Sequence, residues 1–430
     1  MTTLTWVWIY FALFLVLMIV SIPIPFAMMA STLLYCLQVD YNLALFAQRT
    51  ATSFADYTLL AVPTFVFVGC FMNETGLTDD IFDVCKKGLG HIPGGLAHAN
   101  VVASMVFAGM SGSVQADAGG LGYIEIETMT RAGYDKEYSC AITACSSIIG
   151  PIIPPSINLV VFGYLAQVST LSLFLGGLLP GVLMGLSMMV LVFLQAKKGV
   201  VISKETLLPK APAHEVWKAF YKIIPVLFGP IILILGILSG AFTPTECGCM
   251  CAMYCVVLAI AKRRMNFRTI VSSLKRTLST TAVTMFLIST GSIFNWMIIT
   301  GGVLDVLTDF LLAIGNKYLM LMVLNVIMLF MGCFMGNMSI LVMLTPLVVG
   351  LANTMGMDLV HIGVMMVLNL TIGCVTPPFA PAVFTACKVS DANFEKTVKF
   401  TAGFLIPLAI VLLVVTYVPI TVILLPTILG

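Results

Sequence analysis

Apolar runs long enough to cross a lipid bilayer recur along the whole sequence, and they constrain the fold more than any other feature. A transmembrane helix needs about 20 predominantly apolar residues, with a range of about 17 to 25. Helices satisfy their own backbone hydrogen bonds in lipid, and the alternating pattern of a transmembrane barrel is absent. The sequence therefore predicts an all-α polytopic membrane protein. The apolar runs are 4–36, 58–75, 92–110, 139–168, 171–195, 216–240, 243–261, 277–300, 318–335, 361–387 and 398–427.

The composition agrees with a membrane protein. Of the 430 residues, 60% are hydrophobic and 9% are charged, whereas about 25% are charged in an average soluble protein. A soluble globular enzyme, a disordered chain and a nucleic-acid binder are excluded, and membrane lipids are expected around the chain. Residues 1–20 are expected to form the first helix rather than a cleaved signal peptide, because no Lys or Arg precedes their apolar stretch.

The positions of the basic residues predict the orientation of the helices. Lysines and arginines cluster in the segments 197–222 and 262–276, which should therefore face the cytoplasm. Counting crossings outwards from these two segments leaves Arg49 and Lys317 on the outer side. This places 19 of the 21 basic residues inside, as expected for a multi-pass membrane protein.

Two Pro-Pro pairs interrupt apolar runs at corresponding places in the two halves of the chain. Pro154-Pro155 lies within 139–168, and Pro377-Pro378 lies 223 residues later within 361–387. Consecutive prolines remove backbone donors and clash with the preceding helical turn. Each of the two segments is therefore predicted to be a broken helix, made of two half-helices joined by an unwound stretch.

A polar interruption precedes each broken helix. Gly109–Ser113 interrupts the segment 92–133, and Gly336–Ser339 interrupts 318–357, so both segments are predicted to be re-entrant hairpins. A shorter match relates 21–25 to 239–244. Two similar halves of opposite orientation are typical of inverted-repeat secondary transporters. The predicted first repeat, 1–195, consists of scaffold helices 4–75, hairpin 92–133, broken helix 139–168 and helix 171–195. A cytoplasmic linker, 196–215, follows it. The predicted second repeat, 216–430, consists of scaffold helices 216–300, hairpin 318–357, broken helix 361–387 and helix 398–427.

The interruptions also predict two cation sites. Unwound backbone inside a membrane is tolerated where protein or a cavity surrounds it, and freed carbonyls with Ser, Thr and Asn oxygens suit a hard monovalent cation. No transition-metal site and no organic cofactor are expected. The residues predicted for the first site are Ser111, Gly112, Ser113, Gly150 and Pro154. Those predicted for the second site are Gly336, Asn337, Ser339, Gly373, Thr376 and Pro377.

The same breaks are expected to bind an anionic substrate, because half-helix N-termini carry partial positive charge and exposed N–H groups. Asn158, Ser156 and Asp117 are the candidate substrate residues, although Asn158 also suits the first cation. Asp117 has three further readings: neutralising a cation, binding a proton or capping a helix. No arginine falls at midplane depth along the sequence, so anion recognition is expected to depend on helix ends and neutral side chains.

Other polar features have a structural explanation. Cys247, Cys251 and Cys255 share one helix face, and three ligands stacked on a straight helix do not converge on a tetrahedral metal. Thr243-Pro-Thr-Glu246 reads as a capping box with proline at the first helical position. His98 and His361 are isolated and are expected to serve packing rather than proton transfer.

The motifs together resemble those of the large membrane subunit (M, or DctM type) of tripartite ATP-independent periplasmic (TRAP) transporters, over essentially the whole chain. This resemblance implies an elevator-type transporter driven by sodium. It also implies a periplasmic binding protein that delivers a small organic anion, such as a C4-dicarboxylate or a sialic acid. The small membrane subunit (Q type) is expected to be a separate chain, because the first repeat begins almost at Met1. The matching motifs are the Ser-Gly-Ser tip 111–113, Pro-Ile-Ile-Pro-Pro-Ser-Ile 151–157, Leu-Pro-Gly 179–181, Thr-Pro-Thr-Glu 243–246 and Thr-Pro-Pro 376–378.

Two departures from the family pattern bear on the substrate class. The stretch 115–127 is more polar than the usual first hairpin, and Phe379-Ala-Pro381 follows the second Pro-Pro where Val-Gly is commoner. Two other functions compete with the main prediction. One is a stand-alone ion-coupled anion transporter or channel that needs no binding protein. The other, more remote, is an intramembrane serine protease, because Gly109-Met-Ser111-Gly112 matches a Gly-x-Ser-Gly pattern.

Overall fold

The structure is a computed structural model that describes residues 3–20, 22–199 and 209–429. These residues form α-helices joined by short turns, with no β-strand in the described ranges. Within those ranges, eight helices are long and apolar enough to cross a membrane. The prediction of an all-α polytopic membrane protein is confirmed. Ser21, and residues 200–208 of the predicted cytoplasmic linker, lie outside the described residues.

The first half of the chain contains eleven of the described α-helices, several of them short because glycine, proline or polar residues end them. A 3-10 turn, Tyr57–Leu60, precedes α4, and a π-helical turn, Asp117–Leu121, follows α7. The helices are α1 Thr3–Ile19, α2 Ile24–Gln38, α3 Leu43–Thr52, α4 Ala61–Glu74, α5 Asp79–Leu89, α6 Gly95–Ser111, α7 Val114–Ala116, α8 Gly122–Arg131, α9 Lys136–Ser147, α10 Ile157–Ala166 and α11 Thr170–Lys198.

The second half contains ten of the described helices. The single helix predicted over 398–427 is instead two helices, because the chain leaves the helical conformation at Val418 and Pro419 has no N–H to continue the ladder. The helices are α12 Ala213–Leu238, α13 Pro244–Ala261, α14 Phe267–Thr300, α15 Val303–Leu312, α16 Lys317–Phe334, α17 Asn337–Thr354, α18 Leu359–Gly373, α19 Pro381–Ser390, α20 Phe394–Tyr417 and α21 Ile420–Leu429.

Two helical hairpins and two broken helices occur where the sequence predicts them. α6 and the segment α7 to α8 form the first hairpin, and α16 and α17 form the second. The first broken helix is α9 and α10, separated by turns at Ile148–Pro155. The second is α18 and α19, separated by turns at Cys374–Phe379. The prediction of two hairpins and two helices broken at Pro-Pro is confirmed.

The helices associate as two bundles. In the first bundle, α14 packs along α2, α3 and α4, and α13 packs between α4 and α12. In the second bundle, α9 packs against α6, α8, α19 and α20, while α18 packs against α16 and α17 and α11 packs against α20 and α21. The second bundle thus contains both hairpins and both broken helices. Contacts of α4 with α6 and of α14 with α17 join the two bundles.

The N-terminus of α13 has the cap that the sequence predicts. Thr243 accepts a hydrogen bond from the Glu246 amide, and Glu246 accepts one from the Thr243 amide at 2.8 Å, so the predicted capping box is confirmed. Cys247, Cys251 and Cys255 are buried. Among the described residues, no group of three or more His, Cys, Asp or Glu is arranged to hold a metal ion.

An ion cluster fastens the short helix α5 to the ends of α12 and α13. The carboxyl of Asp80 on α5 is 5% exposed and lies 2.7 Å from the Lys222 ammonium, 3.1 Å from that of Lys262 and 3.1 Å from the Arg264 guanidinium. Burial acts to raise the pKa of Asp80. The hydrogen bonds from Lys222 and Lys262 and the charges of Lys262 and Arg264 outweigh the effect of burial, so the pKa lies below its ordinary value. The carboxylate therefore stays ionised and anchors the segment that leads into the first hairpin.

Candidate functional site

The tip of the first hairpin rests directly on the first Pro-Pro break. Gly112 ends α6 in a left-handed conformation with φ of 55°. A Cβ atom at this position would lie 2.5 Å from the carbonyl oxygen of Pro155 and 3.3 Å from the Ile157 amide nitrogen. Glycine is required here both by the backbone conformation and by the close approach of the two chain segments. This contact brings Ser111 and Ser113 to the unwound carbonyls of the break.

The break itself is held in place by Ser156. Its hydroxyl donates a hydrogen bond to the Pro151 carbonyl and accepts one from the Leu159 amide at 3.1 Å, so Ser156 caps the N-terminus of α10. Both hydrogen-bonding roles of this hydroxyl are therefore used within the break. The Asn158 side chain, in the first turn of α10, does not cap the helix and lies at the wall of a cavity.

The second hairpin meets the second break in a similar way, through a pair of glycines. A Cβ atom on Gly373 would lie 2.8 Å from the Cα of Gly332. The Cys374 thiol, next in the break, lies beside the backbone of Asn337 at the hairpin tip. Thr376 donates its hydroxyl hydrogen to the Ile372 carbonyl at 2.8 Å. The absence of side chains at the two glycines allows the tip and the break to approach closely.

A cavity of about 640 Å³ lies between the two bundles. The second bundle contributes both hairpin tips and the start of α10, and the first bundle contributes one face of α14 together with parts of α2 and α4. The lining positions of α14 follow helical spacing, so they share one face of that helix. They are Arg276, Ser279, Thr280, Val283, Thr284 and Leu287.

The predicted site residues divide between the cavity wall and the layer behind it. Seven of them line the cavity and seven do not. Of the three predicted substrate residues, Asn158 is the one that lies on the wall. Those that line it are Ser111, Gly112, Ser113, Asn158, Gly336, Asn337 and Ser339. Those that do not line it are Asp117, Gly150, Pro154, Ser156, Gly373, Thr376 and Pro377. Gly150 is nevertheless next to the tip, because its Cβ position lies 3.6 Å from the Ser113 amide nitrogen.

Arg276 is a cavity residue that the sequence analysis missed. Its Nε lies 3.0 Å from a carboxylate oxygen of Glu74, and 65% of its side chain is exposed. The basic cluster 262–276 predicts a cytoplasmic loop and a helix that starts at 277, whereas α14 begins at Phe267 and carries Arg276 to the cavity. The expectation that recognition depends on helix ends and neutral side chains alone is therefore incomplete.

The cavity wall carries positive groups, of which Arg276 is paired with Glu74. It contains the Arg276 guanidinium and the first turns of α10 and α17, whose free N–H groups carry the positive ends of the helix dipoles. Among the described residues, no Asp or Glu lines the cavity. Hydroxyl and amide groups from Ser113, Gln115 and Asn337 add neutral hydrogen-bonding groups to the wall. The arrangement suits a small anion with several polar groups.

The geometry around Ser111 does not form a nucleophile–base pair. His98 lies on the same helix, thirteen residues earlier, which corresponds to about 20 Å along the axis. His361 shares a 2.8 Å hydrogen bond with the Val415 carbonyl. Neither imidazole is placed to activate the Ser111 hydroxyl.

Comparison with known proteins decides the family. The family model described as the DctM component of the tripartite ATP-independent periplasmic transporter matches residues 11–421. The chain belongs to this family. It is therefore a TRAP transporter large permease, a multi-pass inner-membrane protein of a three-part system that includes a periplasmic binding protein.

Several relatives of this permease have been named. It is 38% identical to the sialic acid TRAP transporter large permease protein SiaM of Vibrio cholerae, over 88% of each chain. It is 34% identical to the sialic acid TRAP transporter permease protein SiaT of Haemophilus influenzae, over 91% of this chain and 64% of that longer protein. It is 32% identical to the 2,3-diketo-L-gulonate TRAP transporter large permease protein YiaN of Escherichia coli, over 91% of this chain and 92% of the relative.

A solved structure shares the fold of the permease. The crystal structure of the YdaH transporter of Alcanivorax borkumensis, reported to have an unusual topology, superimposes with a TM-score of 0.63. The match covers 87% of this chain and 88% of that one at 10% sequence identity, so the likeness concerns the fold alone.

Proposed function

We propose that this permease carries out sodium-coupled uptake of a small organic anion delivered by a periplasmic binding protein. The observation that carries the proposal is the cavity, where the Arg276 guanidinium and two helix N-termini surround a space without acidic lining residues among those described. Transport systems for sialic acid, 2,3-diketo-L-gulonate and C4-dicarboxylate are named among the relatives. These three substrates are organic acids, and a guanidinium can bind a carboxylate through two parallel charge-assisted hydrogen bonds.

The two cation sites predicted from the sequence remain part of this proposal. The Ser111 hydroxyl supports the first site, because it is buried and has no hydrogen-bond partner among the described residues. Its oxygen is therefore available to a cation beside the carbonyls of the Gly150–Pro154 stretch. The second site, at the other hairpin tip and break, is supported by the contact of Asn337 with Cys374. Sodium suits oxygen ligands of this kind, as hard cations do.

An elevator movement of the second bundle against the first is the transport mechanism that we propose. Small residues lie where the bundles touch: a Cβ on Gly69 of α4 would lie 3.1 Å from the Cα of Ser111, and one on Gly109 of α6 would lie 3.3 Å from Pro230 of α12. Small residues let helices pack closely and without interlocking side chains.

The small membrane subunit is proposed to be a separate chain that braces the first bundle, as the name "large permease" of several relatives suggests.

Reconstituted uptake tests the proposal. Purified permease and small subunit are placed in proteoliposomes, and uptake of radiolabelled sialic acid, a C4-dicarboxylate and 2,3-diketo-L-gulonate is measured with and without the cognate binding protein. Uptake is expected to require both an inward sodium gradient and the binding protein. A proton gradient that drives uptake equally well in sodium-free buffer would refute sodium coupling. Uptake that is independent of the binding protein would favour the alternative, a stand-alone anion transporter or channel.

Substitutions at the hairpin tips test the cation sites. Asn337→Ala and Ser113→Ala each remove a proposed oxygen ligand, so each is expected to raise the sodium concentration for half-maximal uptake by about 10-fold, the equivalent of about 1.4 kcal/mol. Asn353→Ala is the matched control, because Asn353 is exposed at the far end of the same helix as Asn337. If both tip variants lower the rate without changing the sodium requirement, the sites are misplaced.

A further inference from the structure

We propose that Asp117 and Glu125 form a proton-binding site in the interior of the first hairpin, separate from the cavity. This inference goes beyond the proposed function, and it stands whether or not sodium drives transport. Both carboxyl side chains are completely buried, with 0% exposure. None of their four oxygens has a hydrogen-bond partner among the described residues. Two buried carboxyl groups without partners are unusual in a folded protein and call for an explanation.

A π-helical turn brings the two carboxyls to the same face of the hairpin. Seven residues make almost two full turns of an α-helix, so an eight-residue separation leaves the second side chain about 80° around the helix axis from the first. The π-helical turn Asp117–Leu121 takes up one additional residue between them. The two groups are close enough for the charge of Asp117 to act on Glu125.

Neutral polar side chains fill the space beside the pair. Ser104 lies beside Asp117, but its hydroxyl hydrogen-bonds to Ser146 at 2.9 Å. Ser146 donates to the Asn100 side chain at 2.8 Å, and Asn100 donates to the Thr143 hydroxyl at 2.7 Å. All four of these residues are fully buried. Their hydrogen bonds are thus largely directed at one another rather than at the carboxyls.

The basic residues of the surrounding elements make no hydrogen bond or ion pair with the two carboxyls. Arg131 of α8 binds Glu127 at 2.5 Å. Lys136 of α9 donates to the Asp391 carbonyl at 2.9 Å, and Lys388 of α19 is exposed. His98 of α6 lies next to Gly94, and its buried Nδ1 has no hydrogen-bond partner among the described residues. The Cys85 thiol of α5 also faces Glu125. Among the described residues, no cation pairs with either carboxyl.

These surroundings favour a proton over a metal cation. An isolated ionised carboxylate in an apolar interior costs several kcal/mol or more, and binding a proton removes that cost. A metal cation needs several converging oxygen ligands, whereas the neighbouring hydroxyl and amide groups are already paired with one another. A proton needs no cavity. The first hairpin is therefore neutral in its core when the pair is protonated, and it gains buried negative charge when the pH rises and the proton leaves.

Infrared difference spectroscopy of the permease tests this site without measuring transport. The wild type in lipid at pH 7 is expected to show the C=O band of a protonated buried carboxylic acid. Asp117→Asn and Glu125→Gln should each reduce this band, and the double variant should abolish it. Glu127→Gln is the control, because Glu127 lies on the same helix, is partly exposed and pairs with Arg131. Absence of the band from the wild type, or its persistence in the double variant, would overturn the proposal.

The pH dependence of uptake gives a second readout, at saturating sodium and substrate. Wild-type uptake at about pH 8.5 is expected to fall to about half or less of its rate at about pH 6, because deprotonation places charge in the hairpin core. The double variant carries neutral side chains at every pH, so its ratio of the two rates should stay near 1. Glu127→Gln should behave like the wild type. An equal decline in the double variant would contradict the inference.

Discussion

Replacing Arg276 with alanine is expected to lower uptake at sub-saturating substrate by about 10- to 150-fold, which corresponds to the 1.5 to 3 kcal/mol of a hydrogen bond to a charged group. The guanidinium is the positively charged side chain on the cavity wall, and it faces the hairpin tips across the space where the anion is proposed to bind. The effect should appear mainly as a higher KM for the substrate, because the arginine contacts the anion in its bound state. Arg276→Lys should be intermediate, since lysine retains the charge but loses the planar bidentate geometry.

Two matched controls separate this role from a structural one. Arg268 lies on the same helix and is exposed, so Arg268→Ala should leave KM unchanged. Glu74→Gln removes the ion pair of Arg276 while keeping the guanidinium. If loss of the ion pair with Glu74 caused the higher KM of Arg276→Ala, then Glu74→Gln would raise the KM by the same factor. A KM in Arg276→Ala equal to that of the wild type would show that another group binds the anion.

Gly112→Ala is expected to abolish most transport, because it separates the first hairpin tip from the first break. The alanine would have to adopt a left-handed conformation at a cost of about 1–2 kcal/mol. Its Cβ would also lie 2.5 Å from the Pro155 carbonyl oxygen, and overpacking of this kind costs about 1–3 kcal/mol. The sum of about 2–5 kcal/mol predicts a fall in uptake of at least about 10-fold.

Gly356→Ala is the matched control for this prediction. Gly356 has a φ of 60°, similar to that of Gly112, but no atom lies within 4 Å of its Cβ position. It should therefore show only the conformational cost of about 1–2 kcal/mol, with a correspondingly small loss of thermal stability. The measurements are initial uptake rates and the apparent Tm in lipid nanodiscs. Equal effects of the two substitutions would mean that backbone strain, and not the contact with the break, determines the phenotype.

The hairpins and broken helices were predictable because their signals are local. A pair of prolines breaks a helix by removing backbone donors, whatever surrounds it. The sequence therefore predicts the positions of both broken helices, α9–α10 and α18–α19, and of both hairpins. It also predicted the capping box at Thr243, which depends on residues within one turn. The second break within 398–427, at Val418–Pro419, was missed because a single proline at a helix end gives a weaker signal than a pair.

The candidate site was predicted only in part, because a site depends on which elements meet. Both hairpin tips reach the cavity, as residues 111–113 and 336–339 show. Asp117, expected near the substrate, is instead buried behind the wall, because the π-helical turn places it in the hairpin core. Arg276 was assigned to a loop because positive charge at the end of an apolar run usually marks the membrane boundary.

The sequence by itself determined that this chain is a multi-pass helical membrane protein, where its helices break, and which side of the membrane its basic segments should occupy. Those properties follow from apolar run length, proline chemistry and charge, all of which act within one segment. Only the tertiary structure decided that Arg276 shares a cavity with two hairpin tips, and that no cation among the described residues pairs with the buried Asp117 and Glu125 carboxyls. The first feature depends on the packing of helices from different bundles, and the second depends on the π-helical turn and on the helices that surround the first hairpin.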